Sequence, residues 1–229
     1  MKKYIFILLL FLVTIVDAQE SKEDSWLTVQ ISYGPQYNNF VDYDQEIRVE
    51  DDAIIPIEGF PGEATLFQKR EIGTYFNVTA NIRLGGRNYL EIGHSRTMNQ
   101  GVYNGIVAFP NGTEVVVEDF QLRHRNHFYK LGYKRSFIND RLFVSAGFAH
   151  TTFQQSEISI NPGASNVLIS ERNNENSNLS ELTSYLGFQY DFFRSGPFSL
   201  GVQSTAYVIV SAGFELETFA IAPTLKFQF

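Results

Sequence analysis

The chain of 229 residues contains no cysteine, which removes both a disulfide framework and any thiolate metal site. Positive charge is in the minority: 18 Lys and Arg stand against 25 Asp and Glu, for a formal net charge of -7. Nucleic-acid phosphates need Lys and Arg clustered on one face, so no nucleic-acid partner is expected. Long apolar runs are also missing after residue 18, where nothing approaches the roughly 18 consecutive apolar residues of a membrane-spanning helix. Aromatic residues are plentiful, at 15% of the chain, and 21 of them are Phe.

The first residues differ from the rest. Lys2 and Lys3 precede an apolar run from Tyr4 to Val16, and Val16-Asp17-Ala18 forms a small-residue cleavage pattern before Gln19. This reads as a cleaved secretory signal peptide over residues 1–18, because the run is short for a membrane anchor and no stop-transfer segment follows. The cleavage site carries no Cys, which excludes a lipid-anchored lipoprotein. Removing Lys2, Lys3 and Asp17 with the signal takes the charge to -8. The mature chain, residues 19–229, is expected to form one domain.

Within that domain, apolar and polar residues alternate with the period of a β-strand. Leu27, Val29, Ile31 and Tyr33 oppose Thr28, Gln30 and Ser32. Phe76, Val78, Ala80 and Ile82 oppose Tyr75, Asn77, Thr79, Asn81 and Arg83. The same pattern recurs with Leu90 and Ile92; with Tyr129, Leu131 and Tyr133; with Leu142, Val144, Ala146 and Phe148; with Leu182, Leu186, Phe188 and Tyr190; and with Phe198, Leu200 and Val202. A last segment places Phe219, Ile221, Leu225, Phe227 and Phe229 against Thr218, Ala220, Ala222, Lys226 and Gln228. The count is about eight strands.

One face of nearly every strand is large and apolar, while the other mixes Gly, Ser, Thr, Asn and Gln with Arg83, Glu91, Lys130, Lys134, Asp191 and Lys226. Small polar residues with charges of both signs suit the tight interior of a small barrel, where those six side chains would form a polar network. A soluble, secreted β-protein with the apolar faces inside is the alternative. Connection lengths favour the barrel. Those near 85–88, 136–140 and 194–197 are short, and those at about 35–68, 99–118 and 154–178 are long and polar. Short and long alternate, with one compact exception near residues 211–213. Membrane barrels show this asymmetry, with short periplasmic turns and long extracellular loops.

The segment APTLKFQF, residues 222–229, sharpens the reading. A barrel in lipid leaves no strand edge, so residues 218–229 are expected to pair with residues 25–34. Pro223 lacks a ladder donor and is expected at a bulge or where pairing is locally broken. Together the signal peptide, about eight alternating strands, short turns, long loops and final Phe resemble the small outer-membrane β-barrel superfamily of OmpA and OmpX type. The Asn-rich, Lys-led style resembles a Bacteroidota member. The resemblance implies an eight-stranded antiparallel transmembrane up-and-down β-barrel in a Gram-negative cell envelope, with both termini periplasmic. It implies lipid and lipopolysaccharide as surroundings. It also implies a barrel-assembly signal at Leu225, Phe227 and Phe229 that is read by the barrel-assembly machinery. No peptidoglycan-binding domain is expected after the barrel.

Catalytic chemistry is not expected. Some small barrels modify lipid A with a His, a Ser nucleophile and an acid. Here His94 and Ser95 are strand neighbours and point to opposite faces. His150 and Thr152 share a face, with Glu157 further along, but Thr stands where such an enzyme carries Ser. His124 and His127 lie in RHRNHFYK beside Arg123 and Arg125. That basic stretch reads as interior charge pairing or a solvated rim, with lipopolysaccharide phosphate as the competing ligand. Asp42, Asp44, Glu46, Glu50, Asp51, Asp52, Glu58 and Glu63 crowd the first long loop without the spacing of a calcium loop, so no metal or cofactor is assigned. The sequence thus points to a non-enzymatic structural or surface-interaction barrel. An accessory of an envelope secretion or adhesion system, contacting a protein partner through its loops, is the alternative. A lipid A-modifying enzyme comes third.

Overall fold

A computed structural model describes residues 25–39, 47–49, 67–68, 71–108, 114–138, 140–161, 168–173, 180–210 and 214–229. Eight strands build the barrel: β1 Leu27–Asn38, β2 Ile72–Gly85, β3 Asn88–Ala108, β4 Glu114–Phe137, β5 Leu142–Asn161, β6 Ser180–Ser195, β7 Phe198–Ile209 and β8 Glu215–Gln228. Each pairs antiparallel with its sequence neighbours, and β8 returns to β1, so the sheet is closed and up-and-down throughout. Closure satisfies the backbone of every strand between its two neighbours, which a strand in lipid requires.

The closing register runs from Thr28 opposite Gln228 to Asn38 opposite Thr218. It lapses between Ser32–Thr224 and Gln36–Ala220, where Pro35 of β1 and Pro223 of β8 lie on the facing edges. Proline has no N–H to give to a ladder, so the lapse is the local cost of two prolines at one seam. The other edge of Pro223 stays in register with Val202 of β7.

Tight turns join β2 to β3, β4 to β5 and β6 to β7. In the first, Gly86 takes a φ of 54°, a left-handed conformation glycine adopts without strain. The start of β1 and the end of β8 lie at this same end of the barrel. Phe229 N donates to Leu27 O, and Gln228 N donates to Pro197 O in the third turn, each at 2.9 Å.

At the opposite end the long connections are more regular than expected. The segment read as a loop over 99–118 is mostly a ladder: β3 and β4 stay paired out to Ala108 and Glu114, past a register shift at Tyr103/Gly105. The loop expected from 35 starts later, because β1 reaches Asn38. The stretch 154–178 holds the end of β5 and a short strand, Leu168–Asn173, antiparallel to it. Two further short strands decorate this end. Ile47–Val49 runs parallel to β5 at 158–160, and Phe67–Gln68 lies against Tyr103 and Val102 of β3. β-Branched runs such as Val115-Val116-Val117 carry strand propensity without alternation, which explains why period alone missed them.

The distribution of side chains inverts that of a soluble barrel. Exposed positions include Ile31, Phe76, Ile92, Leu131, Phe148, Leu186, Phe188, Leu200, Ile221 and Leu225, contributed by every strand. Buried ones are mostly Gln, Asn, Ser, Thr and charged residues. One apolar layer of the interior joins Tyr75, Phe128, Tyr185 and Tyr207 to Ala149, Ala220 and Ala222.

Candidate functional site

Three tiers fill the lumen. In the tier nearest the short turns, Glu91 of β3 stands between two lysines of β4, 3.7 Å from Lys130 Nζ and 3.5 Å from Lys134 Nζ. Glu91 is 0% exposed, so this is a buried ion triad. Lys134 Nζ also donates to Gln30 Oε1 at 3.0 Å and Gln189 Oε1 at 2.8 Å. Gln189 Nε2 donates to Asp191 Oδ1 at 2.7 Å. Asp191 in turn pairs with Lys226 of β8 and, at 3.4 Å, with Arg194. Lys226 Nζ lies 3.8 Å above the Phe143 ring, a cation on an aromatic face. Five strands are tied together by one chain of charges and amides.

Five of the six residues expected in the interior network therefore meet there. Arg83 does not. It continues the inward row of β2 beyond Asn81 but is exposed at the barrel's end, where its Nε donates to Gly86 O at 3.1 Å. Alternation fixes the face a residue occupies and leaves its depth open, which is why Arg83 could not be separated from the others.

The middle tier is aromatic. Phe128 and Tyr207 stack with centroids 3.9 Å apart, and Tyr207 Oη donates to Ser95 Oγ at 2.7 Å. Ser95 Oγ donates to Asn77 Oδ1 at 2.8 Å, so Asn77, which matches a glycosylation sequon, is a lumen residue. Above lies a carboxylate with little compensation. Glu217 of β8 is 0% exposed, accepts from Asn126 Nδ2 at 2.7 Å, and leaves Oε2 without a hydrogen bond among the described residues. The register shift at Tyr207/Val208 turns both Glu217 and Thr218 inward. His124 is buried nearby, with its ring 6.4 Å from Phe153.

On the outer wall, the segment read as interior charge pairing or a solvated rim divides. His124 goes in; Arg123, Arg125 and His127 face out, because odd and even positions of β4 take opposite faces. His127 meets His94 of β3, Nδ1 to Nε2 at 3.1 Å, with the rings stacked at 5.3 Å. His94 and Ser95 do point to opposite faces, since Ser95 is buried in the lumen. His150 is exposed on the outer wall 6.4 Å from Tyr129, and Thr152 shares that face. The Glu157 side chain lies outside the described residues, as do the carboxylates of the first loop and residues 1–18. No group of three metal-ligating His, Asp or Glu residues occurs among the described residues.

Leu225 and Phe229 are exposed on the wall, and Phe227 sits between Phe198 at 4.8 Å and Phe229 at 4.6 Å, edge to face in both pairs. These rings gather at the short-turn end, where an aromatic girdle is expected.

A closed antiparallel barrel of eight strands with an apolar wall and a polar, filled lumen has the architecture of a transmembrane β-barrel. No family model matches the chain, and no curated protein matches it. Among solved structures it is similar to Ail, the attachment invasion locus protein of Yersinia pestis, in complex with the heparin analogue sucrose octasulfate. That match has 10% identity, covers 89% of this chain and 97% of that one, and has a TM-score of 0.45. It is also similar to the Yersinia pestis outer membrane protein Ail in a phospholipid bilayer nanodisc, at 11% identity over 90% of this chain and 100% of that one, TM-score 0.39. The outer membrane protease OmpT from Escherichia coli is similar at 9% identity over 92% and 100%, TM-score 0.37.

Proposed function

We propose that this chain is a non-enzymatic barrel of a Gram-negative outer membrane, of Bacteroidota type by its composition. It would serve a structural or surface-interaction role through the end that bears the long connections. The observation that carries this reading is the inversion of the barrel: exposed Leu, Ile and Phe on all strands around a lumen of buried polar groups. Such a wall is stable only against lipid, and closure leaves no edge to pair elsewhere. The bacterial outer membrane is where closed barrels of this kind reside. Both termini would then be periplasmic, beside the short turns, and the barrel-assembly machinery would read Leu225, Phe227 and Phe229 during insertion. The lumen is packed by ion pairs and rings, so the barrel offers no open channel and the long connections would carry any contact with a partner.

The test is fractionation of expressing cells followed by electrophoresis of the membrane fraction with and without boiling. A band in the outer-membrane fraction that changes mobility on boiling is expected. A soluble periplasmic or secreted band with no shift would overturn the reading.

A further inference from the structure

The outward rows of β3, β4 and β5 change character at one level. On β4, Tyr133, Leu131 and Tyr129 give way to His127, Arg125 and Arg123. On β3, Ile92 gives way to His94 and Arg96; on β5, Phe148 gives way to His150, Thr152 and Gln154. The registers bring these together: Arg96 is opposite His127, His127 opposite Thr152, and Arg125 lies between Met98 and Gln154. Arg96 and Arg125 both act electrostatically on the His127 ring. Arg96, Arg123 and Arg125 are each half-buried, so their stems are packed on the wall. Among the outward positions of β2 to β6 whose side chains are described, none is a carboxylate. In a chain of net charge -7 this is a local concentration of positive charge.

Its height matters. Ten residue steps separate Phe137, at the short-turn end of β4, from His127. At roughly 3.3 Å per residue and a tilt of about 40° they rise about 25 Å along the barrel axis. That is the height of the apolar band of a membrane barrel, about 25 Å. The cluster therefore begins where hydrocarbon ends, on the side of the long connections. Arg135, next to Phe137 on the same row, lies at the other edge of the band, within reach of the opposite interface through its long side chain. Directly below it Tyr129, Leu131 and Phe148 are exposed by 53%, 57% and 59%. Guanidinium forks match phosphate oxygens two by two, and basic pockets between transmembrane helices take phosphorylated lipid headgroups by the same chemistry.

We propose that Arg96, Arg123, Arg125 and His127 form a docking site for the phosphate of an anionic membrane lipid whose acyl chains lie along Tyr129, Leu131 and Phe148. The inference rests on the membrane reading above. The lipid source is chosen over free phosphate because the apolar wall continues the site downward, giving the chains a surface that a soluble anion would not use.

The experiment uses the folded, full-length protein in phosphatidylcholine nanodiscs, titrated with bis-phosphorylated lipid A and, in parallel, with the same lipid stripped of phosphate. The phosphorylated probe is expected to bind, and the triple variant R96Q/R123Q/R125Q to weaken it at least tenfold while retaining the mobility shift on boiling. R135Q, an exposed arginine at the opposite end of β4, is expected to bind like wild type. Equal binding of the phosphate-free lipid, or unchanged affinity in the folded triple variant, would overturn the site. Complete displacement by millimolar inorganic phosphate would overturn the lipid as its occupant. A protein that never inserts into the nanodisc contradicts the membrane reading instead, so the two failures are distinguishable.

Discussion

At the scale of single residues, the lumen places opposite demands on its two buried acids. Glu91 compensates two lysines, so Glu91→Gln leaves Lys130 and Lys134 as uncompensated charges in a closed interior. Breaking such a buried group costs about 3 to 5 kcal/mol. The midpoint of urea unfolding, followed by the loss of the unboiled band, is expected to fall accordingly. Among the described residues Glu217 accepts a side-chain hydrogen bond from Asn126 alone, and the Glu181 carboxylate bears on it electrostatically. Glu217→Gln removes a buried ionisable group and keeps the shape, so the unfolding free energy is expected to stay or rise by about 1 kcal/mol. A drop as large as that of Glu91→Gln would show an unseen compensating partner. Alternation in the sequence assigned Glu91, Lys130, Lys134, Asp191 and Lys226 to one face correctly. It did not say which acid each lysine meets, because those contacts cross between strands whose register is set by turns. Arg96 beside His127 is another such pair, 31 positions apart in the chain and visible only once β3 and β4 are aligned.

At the scale of strands, two facing glycines hold the aromatic layer in place. Gly132 of β4 and Gly147 of β5 are register partners, and a Cβ on Gly132 would meet Tyr185 Oη and the Ala146 carbonyl. Gly147 leaves room for Tyr185 Cε1, 2.9 Å from where its Cβ would be. Gly147→Ala is therefore expected to destabilise by about 1 to 3 kcal/mol, because its Cβ would press on the Leu131 carbonyl oxygen and Gly132 Cα of β4 before it reached the Tyr185 ring, read as a lower unfolding midpoint. An unchanged midpoint would mean that β4 and β5 can separate locally at no cost. The strand list and the three tight turns were legible because large apolar residues alternate with small polar ones there. The ladder of β3 and β4 from residue 99 onward was not, since Gly101, Asn104 and Gly105 look like loop residues and the valines do not alternate. Pro223 was legible as a break in pairing; that Pro35 faces the same gap followed only from the closing register.

At the scale of the whole molecule, the cysteine-free sequence permits a direct test of closure. Ile31 and Leu225 are register partners across the seam of β1 and β8. The double variant I31C/L225C is expected to form an intramolecular cross-link under oxidation, with a monomeric band that resists unfolding on boiling until reduced. An open sheet would give only free thiols or cross-linked dimers. The most direct measurement of the inverted barrel is a spin-label scan of β6 in bilayers, one cysteine at a time from 182 to 191. Accessibility to oxygen, which partitions into lipid, is predicted to alternate with a period of two residues and to peak at 182, 184, 186, 188 and 190. Uniform accessibility, or outward positions exposed to a water-soluble relaxing agent instead of oxygen, would contradict the account.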